Sequence, residues 1–191
     1  FVIDMCAAPG GKTCHAAELA RDGAKVLACD SNANRLELVG QNARRLSLKS
    51  VETMTADASK LYESFAGKAD AVMADVPCSG LGVLSRRPDA RWRKDYSQAD
   101  EFAKIGSAIL DSAAMCLRPG GRLVFSTCTV SERENELQLK DFLARHKEFA
   151  PVPLARLEAL GISGKGSGYA QLLQGIHESD GFFISLFHKL N

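Results

Sequence analysis

Two thiols and an acid stand where a chain of this pattern could do chemistry. Asp75 and Cys78 share the stretch Asp75-Val76-Pro77-Cys78-Ser79-Gly80, and Cys128 lies in Ser126-Thr127-Cys128-Thr129. An ionised thiol is a nucleophile, and a carboxylate beside it can orient a polar substrate. The apolar run Ala71-Val72-Met73-Ala74 reads as a short buried strand, which puts Asp75 at its C-terminal end. That edge is where ligands bind in open parallel α/β sheets. Pro77 fixes the backbone beside the thiol, and Ser79-Gly80 imposes a turn. Taken singly, Cys78 or Cys128 reads as an inert core residue at a strand end, the usual fate of a free cysteine. Taken together, each just past one of two neighbouring strands, they reach the same cleft. Their spacing leaves open which of them attacks.

A second group of residues could hold a ligand. Cys6-Ala7-Ala8-Pro9-Gly10-Gly11-Lys12 reads as a tight loop between a strand and a helix. Glycines let a backbone approach a ligand closely, and an acid closing the next strand can bond a ribose hydroxyl. A phosphate-binding P-loop would need glycine where Cys6 stands, although Gly11-Lys12-Thr13 is present. The dinucleotide fingerprint Gly-x-Gly-x-x-Gly is absent as well. An adenosyl ligand remains, with Asp30 for its ribose, Asp57 beside its adenine and Asp75 facing its reactive end. Alone, each acid would serve equally as a helix cap or turn residue. Three acids ending three successive strands beside one glycine loop point to a ligand.

The third group is basic. Arg86-Arg87-Pro88-Asp89-Ala90-Arg91-Trp92-Arg93-Lys94-Asp95-Tyr96 holds five basic residues, one indole and one phenol. Basic groups pair with phosphates while an aromatic face stacks on an exposed base. Arg86, Arg87, Arg91 and Trp92 are therefore candidates for nucleic-acid contact, although Trp92 on its own reads as a side chain packed inward.

The elements that must position these groups alternate. Strands are expected at 1–5, 25–30, 51–55, 71–75, 122–126, 150–152 and 181–188, and helices at 13–21, 32–46, 98–117 and 132–146. Alternation of this kind gives a doubly wound, mostly parallel seven-stranded sheet with helices on both faces. Residues 161–168, with four glycines, read as a mobile loop. With 191 residues, 46% hydrophobic and 25% charged, the chain can bury the core of one domain. A net charge of +1 confines any nucleic-acid surface to a local patch. The six cysteines form neither CxxC pairs nor clusters with histidine, so no metal is expected and the thiols read as reduced and cytoplasmic. No apolar run approaches membrane-spanning length and no secretory signal precedes the first strand. Phe1 enters a strand directly, without an initiator methionine, which reads as an excised piece of a longer protein.

These motifs together resemble one family. Asp4-Met5-Cys6-Ala7-Ala8-Pro9-Gly10-Gly11-Lys12-Thr13 is similar to the cofactor motif of the RNA cytosine-5 methyltransferases, the RsmB/Sun/NSUN family. The Asp75 stretch resembles its next signature, with Val76 where alanine is more usual. Ser126-Thr127-Cys128-Thr129 resembles its Thr-Cys-Ser element, with Thr129 in place of serine, and Asp180-Gly181-Phe182-Phe183 resembles its closing strand. The bacterial ribosomal RNA branch looks closest. The resemblance implies a Rossmann-like methyltransferase fold over residues 1–191, S-adenosylmethionine bound by residues 6–12 with Asp30, Asp57 and Asp75, and ribosomal RNA as partner. It also implies that Cys128 attacks C6 of the cytosine, that Cys78 assists release, and that Asp75 contacts the base. RNA-binding parts that the family carries before the first strand are missing from this chain. Transfer RNA is the alternative substrate, and a silent RNA-binding assembly factor the alternative class.

Overall fold

The computed structural model describes residues 1–93, 98–162 and 168–191, without the side chains of Arg91 and Arg93. The expected mobile loop therefore falls mostly outside the described residues, as do Lys94, Asp95 and Tyr96. The chain runs β1 (Val2–Asp4), α1 (Gly11–Leu19), β2 (Val26–Asp30), α2 (Ala33–Arg45), β3 (Val51–Thr55), a short 3-10 turn (Ala58–Lys60) and α3 (Tyr62–Phe65). It continues through β4 (Ala69–Asp75), a second 3-10 turn (Leu81–Val83), α4 (Ala90–Arg93), α5 (Gln98–Cys116) and β5 (Leu117–Thr127). Then come α6 (Glu136–Arg145), β6 (Phe149–Pro151), α7 (Ala155–Ala159), β7 (Tyr169–Leu172) and β8 (Phe182–Lys189).

The strands form one sheet in the order β3-β2-β1-β4-β5-β8-β6, and β7 also pairs with β8. β1 to β5 are mutually parallel, and β8 is antiparallel to β5, β6 and β7. Among the described residues the sheet has eight strands, one more than the expected seven. The additional one, β7, pairs with the first half of β8 while β6 pairs with the second half.

Every residue of β2 is buried, as expected where helices cover both faces. Leu27 and Cys29 point into one apolar cluster with Ile109 and Leu110 of α5, whereas Ala28 points into another with Leu36 and Val39 of α2. This alternation is the two-residue period of a strand. Asn32 caps α2, its side chain accepting a hydrogen bond from the Arg35 amide at 3.1 Å. Cys14, Cys29 and Cys116 are buried, and His146 stacks on Phe142 while bonding Asp111 and Glu148. These residues serve packing.

The starts of β5 and α6 differ from expectation for local reasons. β5 begins at Leu117 because the Arg118-Pro119-Gly120-Gly121 turn bulges out of a ladder whose register shifts between Ala69 and Ala71. α6 begins at Glu136 rather than Glu132 because the side chains just before it are engaged elsewhere: Asn135 bonds the loop after β5, and Glu134 bonds Ser79.

Candidate active site

β1, β2, β4 and β5 end along one edge of the sheet, and the predicted residues gather there. Asp75 closes β4. Its Oδ1 accepts from the Ser126 hydroxyl of β5 at 2.6 Å, and its Oδ2 pairs with Lys12 Nζ at 2.7 Å. The glycine loop and the Asp75 stretch are thus joined directly.

Cys78 and Cys128 are half-buried, and their sulfurs lie 3.3 Å apart, within hydrogen-bonding contact. A pair this close loses its first proton unevenly, because the thiol that keeps its proton donates to the sulfur that lost it. That hydrogen bond from Cys78 is the main reason the Cys128 thiol is held down to about 7, against the opposing effects of burial and of the Asp75 charge. The Lys12 charge favours the same thiolate to a smaller degree. Cys78 is pushed up, first by its bond to Cys128 and then by burial. This asymmetry favours a thiolate at Cys128 with Cys78 as its donor.

The cysteines form part of the wall between two cavities. One, of about 320 Å³, is lined by Cys6, Ala8, Asp30, Asp57, Asp75 and Cys78 among others. A smaller one of about 230 Å³ adjoins it, bounded by Asp4, Cys6, Ala7, Pro9, Gly11 and Lys12. On the other side a cavity of about 530 Å³ is lined by both cysteines together with Val83, Arg86, Arg87 and Asp180. The two larger cavities are in the size range of small-molecule sites.

Each predicted ligand contact has a definite place. Asp30 is buried and accepts from the Ala8 amide at 3.2 Å and from the Asn32 amide at 2.9 Å, so it holds the loop in shape as well as lining the cavity. Asp57 also lines the cavity, but its Oδ1 caps the first 3-10 turn through the Ser59 amide and hydroxyl. Those bonds hold its carboxyl below the usual range. Gly10 does not line either cavity on this side. Its φ of 103° is left-handed, and a Cβ there would sit 3.0 Å from the Val39 Cα of α2, so glycine is required for the turn and for the approach to α2. Burial pushes the Cys6 thiol up, which makes it a poor nucleophile.

On the far side, Arg86 Nε pairs with Asp180 at 2.8 Å, and Arg87 lines the same cavity. Trp92 is 91% exposed on α4. This corrects the reading in which its indole packs inward: α4 is a single turn with too little apolar company to cover the ring. The Arg91 side chain falls outside those described.

A family model described as 16S rRNA methyltransferase RsmB/F matches residues 1–188. The chain belongs to this family. It is 39% identical over 192 residues to the ribosomal RNA small subunit methyltransferase B of Shewanella oneidensis, covering 99% of this chain and 43% of that protein. It is 36% identical to a probable ribosomal RNA small subunit methyltransferase B of Bacillus subtilis, covering 98% of this chain and 43% of the relative. The crystal structure of NSun6 from Pyrococcus horikoshii with SFG superposes with a TM-score of 0.87 at 35% identity, covering all of this chain and 48% of that one. The RsmB/F chain thus spans less than half the length of these relatives.

Two side chains at this RsmB/F site escaped the sequence reading. Arg35 of α2 lines the larger acid-lined cavity and donates through Nη2 to the Ala8 carbonyl at 2.9 Å. Asp4 closes β1 as the other acids close their strands, which was the available signal. It is 1% exposed; Oδ2 accepts from Thr13 Oγ1 at 2.7 Å, and Oδ1 has no hydrogen-bond partner among the described residues.

Burial, aided by the Asp75 charge, raises the Asp4 carboxyl to about 6, against the pull of the Thr13 hydroxyl. The folded state therefore binds this proton more tightly than the unfolded chain. The contribution of Asp4 to stability falls as pH rises from about 4 to about 6. Asp4→Asn, which does not ionise, should be more stable than the parent above that window by up to about 3 kcal/mol, with the gain shrinking below it. Urea melts of both proteins at about pH 8 and about pH 4 check this.

Proposed function

We propose that this chain is the catalytic part of an S-adenosylmethionine-dependent methyltransferase that modifies C5 of a cytosine in small-subunit ribosomal RNA. The observation that carries the reading is the thiol pair, 3.3 Å apart, in the wall between an acid-lined cavity and an arginine-lined one.

The acid-lined side suits the cofactor. Its residues are those of the glycine loop, 6–12, with Asp30, Asp57 and Asp75, and the unpartnered Oδ1 of Asp4 offers a buried acceptor suited to an ammonium group. S-adenosylmethionine, when bound, supplies an electrophilic methyl group. The arginine-lined side suits RNA. Arg86 and Arg87 can meet phosphates there, Arg91 belongs to the same stretch, and the exposed Trp92 offers a stacking face. The cytosine must leave its stack for its ring to be reached by the thiol.

C5 of cytosine is a weak nucleophile. Addition of the Cys128 thiolate to C6 forms a C–S bond, breaks the aromaticity and makes C5 enamine-like. Once C5 carries the methyl group, loss of its proton and expulsion of the Cys128 sulfur restore the ring, so one hard step is divided into easier ones. Cys78, which holds its proton, is placed to donate to the departing Cys128 sulfur, and Asp75 to orient the base. The chemistry needs a free thiolate, which fits a reducing cytoplasm. Among the described residues no helix is long and apolar enough to cross a membrane.

The experiment mixes Cys78→Ala protein with unmodified small-subunit ribosomal RNA and S-adenosylmethionine. We expect a protein–RNA adduct that survives denaturing electrophoresis and is lost in Cys78→Ala/Cys128→Ala. An adduct with transfer RNA alone would overturn the ribosomal assignment. Absence of any adduct with both RNAs, with cofactor still bound, would overturn the covalent mechanism.

A further inference from the structure

Glu134 is a charged residue that the chemistry above does not use, yet it is only 2% exposed. It lies between β5 and α6 and reaches back across the site. Its Oε2 accepts from the Ser79 amide at 2.7 Å and its Oε1 accepts from the Ser79 hydroxyl at 2.6 Å. With its one hydroxyl proton so committed, the Ser79 oxygen accepts from Thr129 Oγ1 at 2.8 Å. Ser79 follows Cys78 in the chain, and Thr129 follows Cys128. One carboxylate therefore ties together the residues next to both thiols.

Asn135 reinforces the tie from the Cys128 side. Its Oδ1 accepts from Thr127 Oγ1 at 2.6 Å, while its Nδ2 donates to the Thr129 carbonyl at 3.0 Å and to Gln171 of β7 at 2.8 Å. A buried carboxylate is a costly way to fill a core, since its desolvation must be offset by hydrogen bonds. In return, bonds to a charged acceptor are short and directional. Packed methyl groups would stabilise the same space without fixing where the next thiol points.

We infer that Glu134 is a positioning residue: through Ser79 and Thr129 it sets the separation and aim of Cys78 and Cys128. The inference rests on the reading of this pair as the reacting thiols. The Cys128 thiol is sensitive to that separation because the Cys78 hydrogen bond is what chiefly lowers it, with Asp75 and Lys12 as the other charged groups facing it. If the loops drift apart, Cys128 becomes an ordinary thiol.

The test compares Glu134→Ala and Glu134→Gln with the parent in two assays. In the first, the iodoacetamide reactivity of Cys128 is followed against pH by peptide mass spectrometry, without RNA. In the second, methyl transfer to small-subunit ribosomal RNA is timed at saturating S-adenosylmethionine. For Glu134→Ala we expect the Cys128 midpoint to rise by about one pH unit or more, back toward an ordinary thiol. Methyl transfer should fall by about 100-fold, the scale expected when a reacting group is misplaced by an ångström. Cofactor affinity should stay within about threefold, since none of Glu134, Ser79 and Thr129 lines the acid-lined cavities.

Glu134→Gln should recover much of both losses. Its amide oxygen still accepts from the Ser79 amide, and its NH₂ can donate to the Ser79 hydroxyl, which then donates to Thr129. A folded Glu134→Ala protein with the parent's reactivity profile would overturn the inference. Should Glu134→Ala not fold, Thr129→Val removes the hydroxyl link to Ser79, along with the long bond from the Ser131 amide, and an unchanged Cys128 profile there would overturn it equally. Failure of the proposed reaction would show separately, as no methylation by the parent, while the thiol profiles still decide the role of Glu134.

Discussion

Cys128→Ala should abolish methyl transfer, lowering the single-turnover rate on RNA by about 10⁴-fold or more while leaving S-adenosylmethionine affinity within about threefold. The size follows from the role. Losing the nucleophile removes the covalent route itself, and in enzymes of that kind the loss of one reacting group costs nearly as much as the loss of the whole constellation. The neighbouring Cys78 is a poor substitute, because burial still holds its proton when the Cys128 sulfur is gone. In the parent protein the rate should climb with pH through a midpoint near 7, the value to which the Cys128 thiol is held, and level off about one unit above it as ionisation nears completion. Rapid-quench measurements across pH test both statements. A parent rate that still rises steeply above about pH 9 would mean that an ordinary thiol attacks.

Gly82→Ala should cost about 3 kcal/mol or more and disorganise the site at the same time. A Cβ at Gly82 would lie 2.1 Å from the Gly181 carbonyl oxygen and 2.8 Å from that of Cys128. Both neighbours are backbone, so neither can swing away. The same residue donates to the Cys128 carbonyl at 3.0 Å and accepts from the Gly181 amide at 2.7 Å, so moving it breaks bonds as well as contacts. Gly11→Ala is the control: a Cβ there meets nothing within 4 Å. At the start of α1 that change should be neutral or improve stability by up to about 1 kcal/mol. Urea denaturation of the two variants separates a close backbone approach from a general effect of losing a glycine.

The parts legible in the sequence were those written by local pattern. β3 was placed at its observed ends, and α2 and α5 within a residue or two, because Leu36, Val39, Ile109 and Ala113 recur at the spacing of a buried helical face. The strand-end acids and both cysteines could be assigned to one cleft because parallel topology carries successive strand ends to one edge. What could not be read was set by contacts distant in sequence. β7 is four residues of which Ala170 alone is buried, and its strand identity comes from β8. Glu134 sits in a run of charges, Glu132-Arg133-Glu134-Asn135-Glu136, that suggests a solvated helix start; only Ser79, brought alongside by the β4–β5 pairing, makes it an interior residue. Trp92 failed in the opposite sense. Its composition argues for burial, and none of the described residues covers it.

The position of β8 ties the assembly of this site to the order in which the chain is made. It is the last of the described strands in sequence, yet it lies between β5 on one side and β6 and β7 on the other. Until it arrives, the flank of β5 that carries Cys128 has no partner, and β6 and β7 have nothing to pair with. Asp180 and Gly181, which bond Arg86 and Gly82, enter with it. A ribosome that has released residues 1–170 has therefore made both cysteines and the Glu134 tie between their loops, but not the strand that pairs beside them or the Asp180 and Gly181 bonds to Arg86 and Gly82. The site is completed late, when distant segments have found one another. Unfinished chains carry the paired thiols in a cleft that still lacks the wall supplied by Asp180.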